Sequence, residues 1–187
     1  METPLLLIVS GPPAAGKTTL GRRIATDLQI PFIGKDDIKE TLFDRLGWSD
    51  RAASRELGRA SFDLLYLFAE AQLAAGRSFA MESNFSPEYA NAPLLRMKEK
   101  YGFKPVQVLC QANEEILLQR YRARVESGER HPGHVDHLNY ENVRPILRNG
   151  RYPPLELGGA VIEVDTNDFD TLDYHALLER ICCAAEL

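Results

Sequence analysis

Eight consecutive residues, Gly11-Pro12-Pro13-Ala14-Ala15-Gly16-Lys17-Thr18, carry the clearest chemical signal in this sequence. They fit the pattern G-x-x-x-x-G-K-[ST] at each fixed position, between an apolar run (Leu5–Ser10) and a stretch of helical periodicity. That combination suits the wrapping of a nucleotide's β-phosphate by backbone N–H groups where the helix dipole favours negative charge. Gly11 opens the turn, and Gly16 lets the backbone approach closely. Pro12 and Pro13 have no N–H, so the donors fall between Ala14 and Thr19, with Ala15, Gly16, Lys17 and Thr18 between them. Lys17 reaches the β- and γ-phosphates, and the Thr18 hydroxyl takes a place on Mg²⁺. A chance match in a chain of this length is on the order of 1%.

Asp36 and Asp37 follow the short apolar run Pro31–Gly34, where ligands collect beyond the carboxyl ends of strands in open α/β sheets. Asp37-Ile38-Lys39-Glu40 reads as a capping box with Asp37 as the cap. That accounts for Asp37 and leaves Asp36 without a structural task. Further along, Met81-Glu82-Ser83-Asn84-Phe85 places a carboxylate at the end of an apolar run. A strand-end acid can hold a Mg²⁺-bound water or position a basic side chain. An exposed strand terminus would look the same, and Asn84 also suits turn chemistry before Pro87.

Arg120, Arg122 and Arg124 lie on one helical stretch, with Arg120 and Arg124 on a shared face. Cations of this kind could stabilise charge near a γ-phosphate, or they could form a solvated basic face. Gly128-Glu129-Arg130-His131-Pro132-Gly133-His134 has the breakers of a mobile segment, and Arg130 is a second candidate phosphate contact. His131, His134 and His137 are three apart, but Pro132 and Gly133 break any helix that would align the first two. No Cys lies nearby, so a zinc site is not expected. Arg51, Arg55 and Arg59 recur every four residues and read as a solvated stripe. Trp48 reads as core or lid packing.

With these residues in view, the sequence resembles the phosphate-loop (P-loop) kinases of the zeta-toxin, chloramphenicol phosphotransferase and polynucleotide 5′-kinase type. The resemblance rests on GPPAAGKTT, GKDDIKE, AMESNFSPE and LLQRYRAR, which together touch most of the chain. It implies a kinase that uses ATP and Mg²⁺ and phosphorylates a hydroxyl. Asp36 would accept the hydroxyl's proton, and Lys39, where the family has Arg, would grip the substrate. Lys in that place lacks the bidentate fork of Arg. Glu82 would replace the commoner Asp, followed by Asn84. Arg124, the second of an R-x-x-x-R pair, would face the phosphates, and Thr166 would sit near the adenine. A nucleotide hydrolase or switch, and a non-catalytic nucleotide-binding regulatory module, are the rival readings.

The elements that must position these residues alternate along the chain. Apolar runs at Leu5–Ser10, Pro31–Gly34, Ser78–Ser83, Pro105–Cys110 and Ala160–Val164 read as five strands. Helices are expected at Gly16–Gln29, Asp37–Arg45, 52–75, from Pro87 to near Gly102, Asn113–Ser127 with Asn113 as N-cap, Tyr140–Arg148 and Asp170–Ala184. Strands separated by helices predict a three-layer α/β fold, a five-stranded parallel sheet covered on both faces. The 187 residues suit one domain, with a short lid at about 126–139. The formal net charge of −5 does not favour wrapping nucleic acid. No apolar run is long enough to span a membrane. The run Leu5–Val9 follows Glu2 rather than a basic residue, which argues against a secretory signal. Three cysteines, two of them adjacent, build no disulfide framework. A cytoplasmic protein with a small-molecule acceptor is expected.

Overall fold

The central strand, β1 (Leu5–Ser10), is buried along its whole length. Its side chains alternate between two cores, as the two-residue period of a strand requires. Leu5, Leu7 and Val9 pack with Leu20 and Ile24 of α1 (Lys17–Asp27) and with Leu177 and Ile181 of α7 (Tyr174–Ala185). Leu6 and Ile8 face the other way, onto Leu65, Ala69 and Leu73 of α3 (Arg51–Ala74) and Leu94 and Met97 of α4 (Pro87–Tyr101). The sheet is therefore the middle of three layers. Fully burying each of these Leu or Ile side chains contributes roughly 1.5–3 kcal/mol before entropy is counted. Ile8→Ala would cost about 2–5 kcal/mol.

The computed structural model describes residues 3–128, 130–135 and 140–187. The expected lid at about 126–139 falls partly outside these residues, as does His137. The remaining strands are β2 (Phe32–Gly34), β3 (Phe79–Glu82), β4 (Lys104–Gln111) and β5 (Ala160–Asp165). All pairings are parallel, in the order β2-β3-β1-β4-β5. The helices α2 (Lys35–Leu46), α5 (Glu114–Ser127) and α6 (Tyr140–Asn149) complete the elements, with one short 3₁₀ turn at Pro132–His134.

The expected boundaries shift where a cap decides them. Helix α2 begins at Lys35 rather than Ile38. Asp37 is its third residue, not its cap, and the Asp37 carboxylate accepts the Gly34 N–H at 3.2 Å. This is the returning half of a capping box, with Gly34 in the cap position. Asp36 accordingly lies in the first turn of the helix rather than on the strand. Helix α7 begins later than expected because Asp173 accepts the Ala176 N–H at 3.0 Å and sets its start. Asn113 holds the N-cap position of α5, but its side chain makes no capping bond.

Candidate active site

Parallel strands end on one edge, and that edge gathers the site. In register, Glu82 at the end of β3 stands opposite Val9 of β1 on one side and Gly34 of β2 on the other. The loop after β1 and the start of α2 therefore flank the Glu82 carboxylate. They surround a cleft of roughly 450 Å³.

The loop after β1 bends where a side chain would not fit. Gly11 has φ +143°, and a Cβ there would lie 2.3 Å from the Cys110 carbonyl oxygen. Gly16 caps α1 in the left-handed region, with φ 75°, and a Cβ would fall 2.3 Å from the Phe169 ring. Ala14 is also left-handed, at φ 65°, a strained setting for a residue with a Cβ. The Lys17 ammonium donates to the Pro12 carbonyl at 2.9 Å and lies 3.9 Å from Glu82. Thr18 donates its hydroxyl to Glu82 Oε2 at 2.8 Å. Burial pushes Lys17 below its ordinary value and Glu82 above its own, each partly opposed by the other's charge. Thr18 and Glu82 form the oxygen set of the site. A hydroxyl and a carboxylate oxygen beside a basic phosphate cradle suit Mg²⁺ held mainly through waters and phosphate oxygens. Chain fold and donor set thus fit a nucleotide with its metal.

Across the cleft, both Asp36 oxygens carry a cation. Lys35 Nζ is 3.1 Å from Oδ1, and Arg130 Nη2 is 2.8 Å from Oδ2. Burial works to raise this carboxyl, but Arg130 and Lys35 outweigh it and hold Asp36 well below the usual carboxylate range. Arg130 Nη2 also lies 3.0 Å from His134 Nδ1, and His134 Nε2 lies 2.8 Å from Glu40 Oε1. Because Arg is always a donor, Nδ1 must accept and the proton belongs on Nε2, which donates to Glu40. Burial, then Arg130, pushes His134 down to about 2, so the ring is neutral. Asp36 and Glu40 lie four apart on α2, so Arg130 and His134 clasp one face of that helix at two points. Phe43, on the next turn, stacks on His131 at 5.0 Å and meets His134 edge-on at 5.3 Å. Among the described residues no group of His, Cys, Asp and Glu is arranged to hold a metal of its own.

Of the residues expected from the sequence, Ala14, Gly16, Lys17, Thr18, Thr19, Asp36, Lys39, Glu82, Asn84, Arg120, Arg124 and Arg130 line this cleft. Gly11 and Ala15 shape the loop without lining it; Ala15 is wholly buried. Thr166 is also wholly buried, and its hydroxyl donates to the Gln111 carbonyl at 2.9 Å, so its side chain does not face the cleft. Arg120 instead donates to the carbonyls of Thr166 and Asn167 at 2.7 and 2.9 Å, with Phe169 beneath its guanidinium. Arg124 lies over the Tyr121 ring. Arg55 and Arg59 are exposed. Lys35, Phe62 and His134 line the cleft although sequence reasoning passed over them. Lys35 stood in the open beside the acidic pair. For His134 the signal lies in spacing: Arg130 and His134 are four apart, as are the acids Asp36 and Glu40.

The cleft lining holds six basic side chains and two carboxylates, within a chain of net charge −5. Such a concentration of positive charge suits a polyphosphate.

Comparison with known proteins bears on this arrangement. The family model described as AAA domain (AAA_33) matches residues 6–143. A search of proteins of curated function gave no match. A structure from Chloroflexus aurantiacus J-10-fl, provisionally described as a kinase, is 38% identical over 98% of this chain and 99% of its own, with a TM-score of 0.93. Kti12 of Chaetomium thermophilum in complex with ADP-AlF3 is 17% identical, covers 96% of this chain and 98% of its own, and superposes with a TM-score of 0.68. A sugar kinase from Janibacter sp. HTCC2649 is 16% identical over 99% and 95%, with a TM-score of 0.58. The last two establish likeness of fold alone. The family match over residues 6–143 and the near-complete alignment with the Chloroflexus protein make this chain a member of the AAA domain family, built on the α/β P-loop kinase fold.

Proposed function

We propose that this protein is an ATP-dependent phosphotransferase that moves the γ-phosphoryl group of ATP to a hydroxyl of a small molecule. The observation that carries this reading is Asp36. An ionised, partly open carboxylate shares one cleft with Lys17, Thr18 and Glu82. A hydrolase needs only the phosphate loop and a positioned water, whereas an acid on the far wall suits a second substrate.

When bound, ATP supplies the transferable phosphoryl group and Mg²⁺ would supply a divalent charge to offset that of the phosphates. Lys17 and the N–H groups at the start of α1 hold the polyphosphate. Thr18 and Glu82 are the residues that would hold the metal. Asp36 accepts a hydrogen bond from the acceptor hydroxyl and aims its oxygen at the phosphorus. A carboxylate held this far down is a weak base, and a loose transition state demands little of the nucleophile. The proton therefore reaches Asp36 late, as the new O–P bond forms and the bond to the β-phosphate oxygen breaks. Arg124 stabilises the charge that spreads over the transferring group. The segment at about 126–139 acts as a lid, closing Arg130 over the cleft.

The acidic chain speaks against a polynucleotide acceptor. No described helix is long and apolar enough to cross a membrane. Free cysteines and a need for ATP fit the cytoplasm. The test is a transfer screen with γ-labelled ATP across sugars, hydroxy acids, nucleosides, antibiotics and short oligonucleotides. Label on an acceptor is the expected result. Acceptor-independent phosphate release would favour a hydrolase, and ATP binding without consumption would favour a regulatory module.

A further inference from the structure

Arg130 meets Asp36 through one nitrogen and one oxygen, Nη2 to Oδ2 at 2.8 Å. An arginine facing a carboxylate often closes a fork instead, with two parallel N–H bonds onto both oxygens. What differs here is a second acceptor. The same Nη2 lies 3.0 Å from His134 Nδ1. A guanidinium Nη carries two hydrogens, so Asp36 and His134 take one each.

The ring that takes the second hydrogen is itself fixed. His134 Nε2 lies 2.8 Å from Glu40 Oε1, and the His134 side chain is 3% exposed. An Nε2–H bonded to a carboxylate leaves Nδ1 bare, as an acceptor. Burial, then Arg130, hold the ring neutral, with Lys39 and Lys35 adding to them and Asp36 pulling the other way. A protonated ring would have no acceptor to offer and would repel Arg130. Packing alone does not call for this side chain. A phenylalanine would fill the same space against Phe43 with no polar atoms to satisfy. The nitrogens are explained by what they do to Arg130.

We propose that His134, oriented by Glu40, is a positioning residue that draws one N–H of Arg130 aside and so keeps the guanidinium from closing a fork over Asp36. The proposal deepens the kinase reading and rests on it for the role of Asp36. A closed fork would put both Asp36 oxygens on Arg130 and crowd Lys35, which holds Oδ1 at 3.1 Å. The one-nitrogen contact leaves each oxygen a second lone-pair position, and the acceptor hydroxyl needs one of them. Glu40 follows Asp36 by four residues on α2, and His134 follows Arg130 by four. The order Asp36, Arg130, His134, Glu40 therefore returns to the helix it starts from. Glu40 acts on the carboxylate one turn away through two side chains of another segment.

Two measurements test this. The first needs no turnover. Protein labelled with ¹⁵N-histidine is studied at neutral pH by long-range proton–nitrogen NMR. The chain has four histidines, and the signal lost in His134→Gln identifies the one in question. His134 should carry its proton on Nε2 alone. An Nδ1–H tautomer or a doubly protonated ring overturns the proposal, because neither can accept from Arg130. The second is a double-mutant cycle on phosphoryl transfer, run with the best-labelled member of a panel of glucose, gluconate, glycerol, serine and adenosine. His134→Phe keeps a ring against Phe43 and removes both nitrogens. It should lower acceptor kcat/KM by about tenfold or more with the KM for ATP within about twofold. His134→Gln, which keeps an acceptor for Arg130, should recover most of that loss. In an Arg130→Gln background, where no fork can form, His134→Phe should change the rate by less than about twofold. An equal loss in both backgrounds makes His134 a packing residue and overturns the proposal, as does wild-type activity in His134→Phe. If no acceptor takes label, the kinase reading fails, and the tautomer alone decides whether His134 holds Arg130.

Discussion

Arg130 Nη2 lies 2.8 Å from Asp36 Oδ2, although 94 positions separate the two residues. The contact carries the segment after α5 onto the first turn of α2 and fixes the charge state of Asp36. With Lys35 on its other oxygen, Asp36 has lone pairs left for a hydroxyl donor but little appetite for its proton. In the proposed reaction it works first by orientation. Arg130 both fixes the position of this carboxylate and brings a cation to the lining of the cleft.

Asp36→Asn should reduce phosphoryl transfer by about 10²–10⁴-fold while nucleotide affinity stays within a few-fold. Asp37→Asn should behave differently. Its carboxylate accepts the Gly34 N–H and pairs with exposed Arg22 at 2.6 Å. Its loss should cost about 1 kcal/mol in chemical denaturation and leave most activity intact. An active Asp36→Asn enzyme beside an inactive but folded Asp37→Asn enzyme would exchange the two roles.

Lys17→Ala should weaken ATP binding at least 100-fold by calorimetry with the circular dichroism spectrum unchanged. Wild-type affinity in the folded variant would remove the phosphate loop from the reading. The buried Glu82 then loses its nearest cation, so its carboxyl should move further up.

Much of this site was legible because local chemistry dictates it. G-x-x-x-x-G-K-T specifies its own turn, and the apolar runs fixed the number and kind of strands. Glu82 could be nominated from its place at a strand end, but only the register of β3 between β1 and β2 sets it beside Thr18. Asp37 lies one turn inside the helix rather than at its cap because Gly34, which has no side chain, holds the cap position, so the box reads from its far end. Thr166, which the family resemblance sets near the adenine, is buried, and its hydroxyl donates to the neighbouring β4 carbonyl, a contact that only the pairing of distant strands creates. The clasp of Arg130 and His134 on Asp36 and Glu40 joins distant segments. No short window contains it, although equal four-residue spacing in both was there to be compared.

Arg124→Ala should lower kcat by about 10²-fold with little change in nucleotide affinity, since its charge is needed most in the transition state. Arg120→Ala should differ in kind. That guanidinium ties α5 to the carbonyls of Thr166 and Asn167, so its removal should lower Tm as well as affinity. Single-turnover rates and thermal melts on the two variants separate these expectations. A wild-type kcat in the Arg124 variant would assign that side chain to packing on Tyr121.

His134 makes the clasp sensitive to acid. Its ring is neutral in the folded protein, pushed down to about 2 by burial and Arg130, while in the unfolded chain it titrates near its ordinary 6.5. Below about pH 6.5 the unfolded state takes up a proton that the folded state refuses. Stability is fully present above that pH and falls as pH drops, by up to about 1.4 kcal/mol per unit. Asp36 adds nothing to this slope until pH nears its ordinary 3.8. Glu40, raised by burial, works in the opposite sense just above its ordinary 4.5, so the cleanest window is pH 6.5 to 5.5. His134→Gln keeps an acceptor for Arg130 and a donor for Glu40 but cannot be protonated. Wild type should lose stability across this window in urea denaturation, and the Gln variant should lose less, with the two curves converging as pH falls. Parallel curves would mean that the ring already accepts a proton in the folded state. The bond from Arg130 to Nδ1 would then have to break in mild acid.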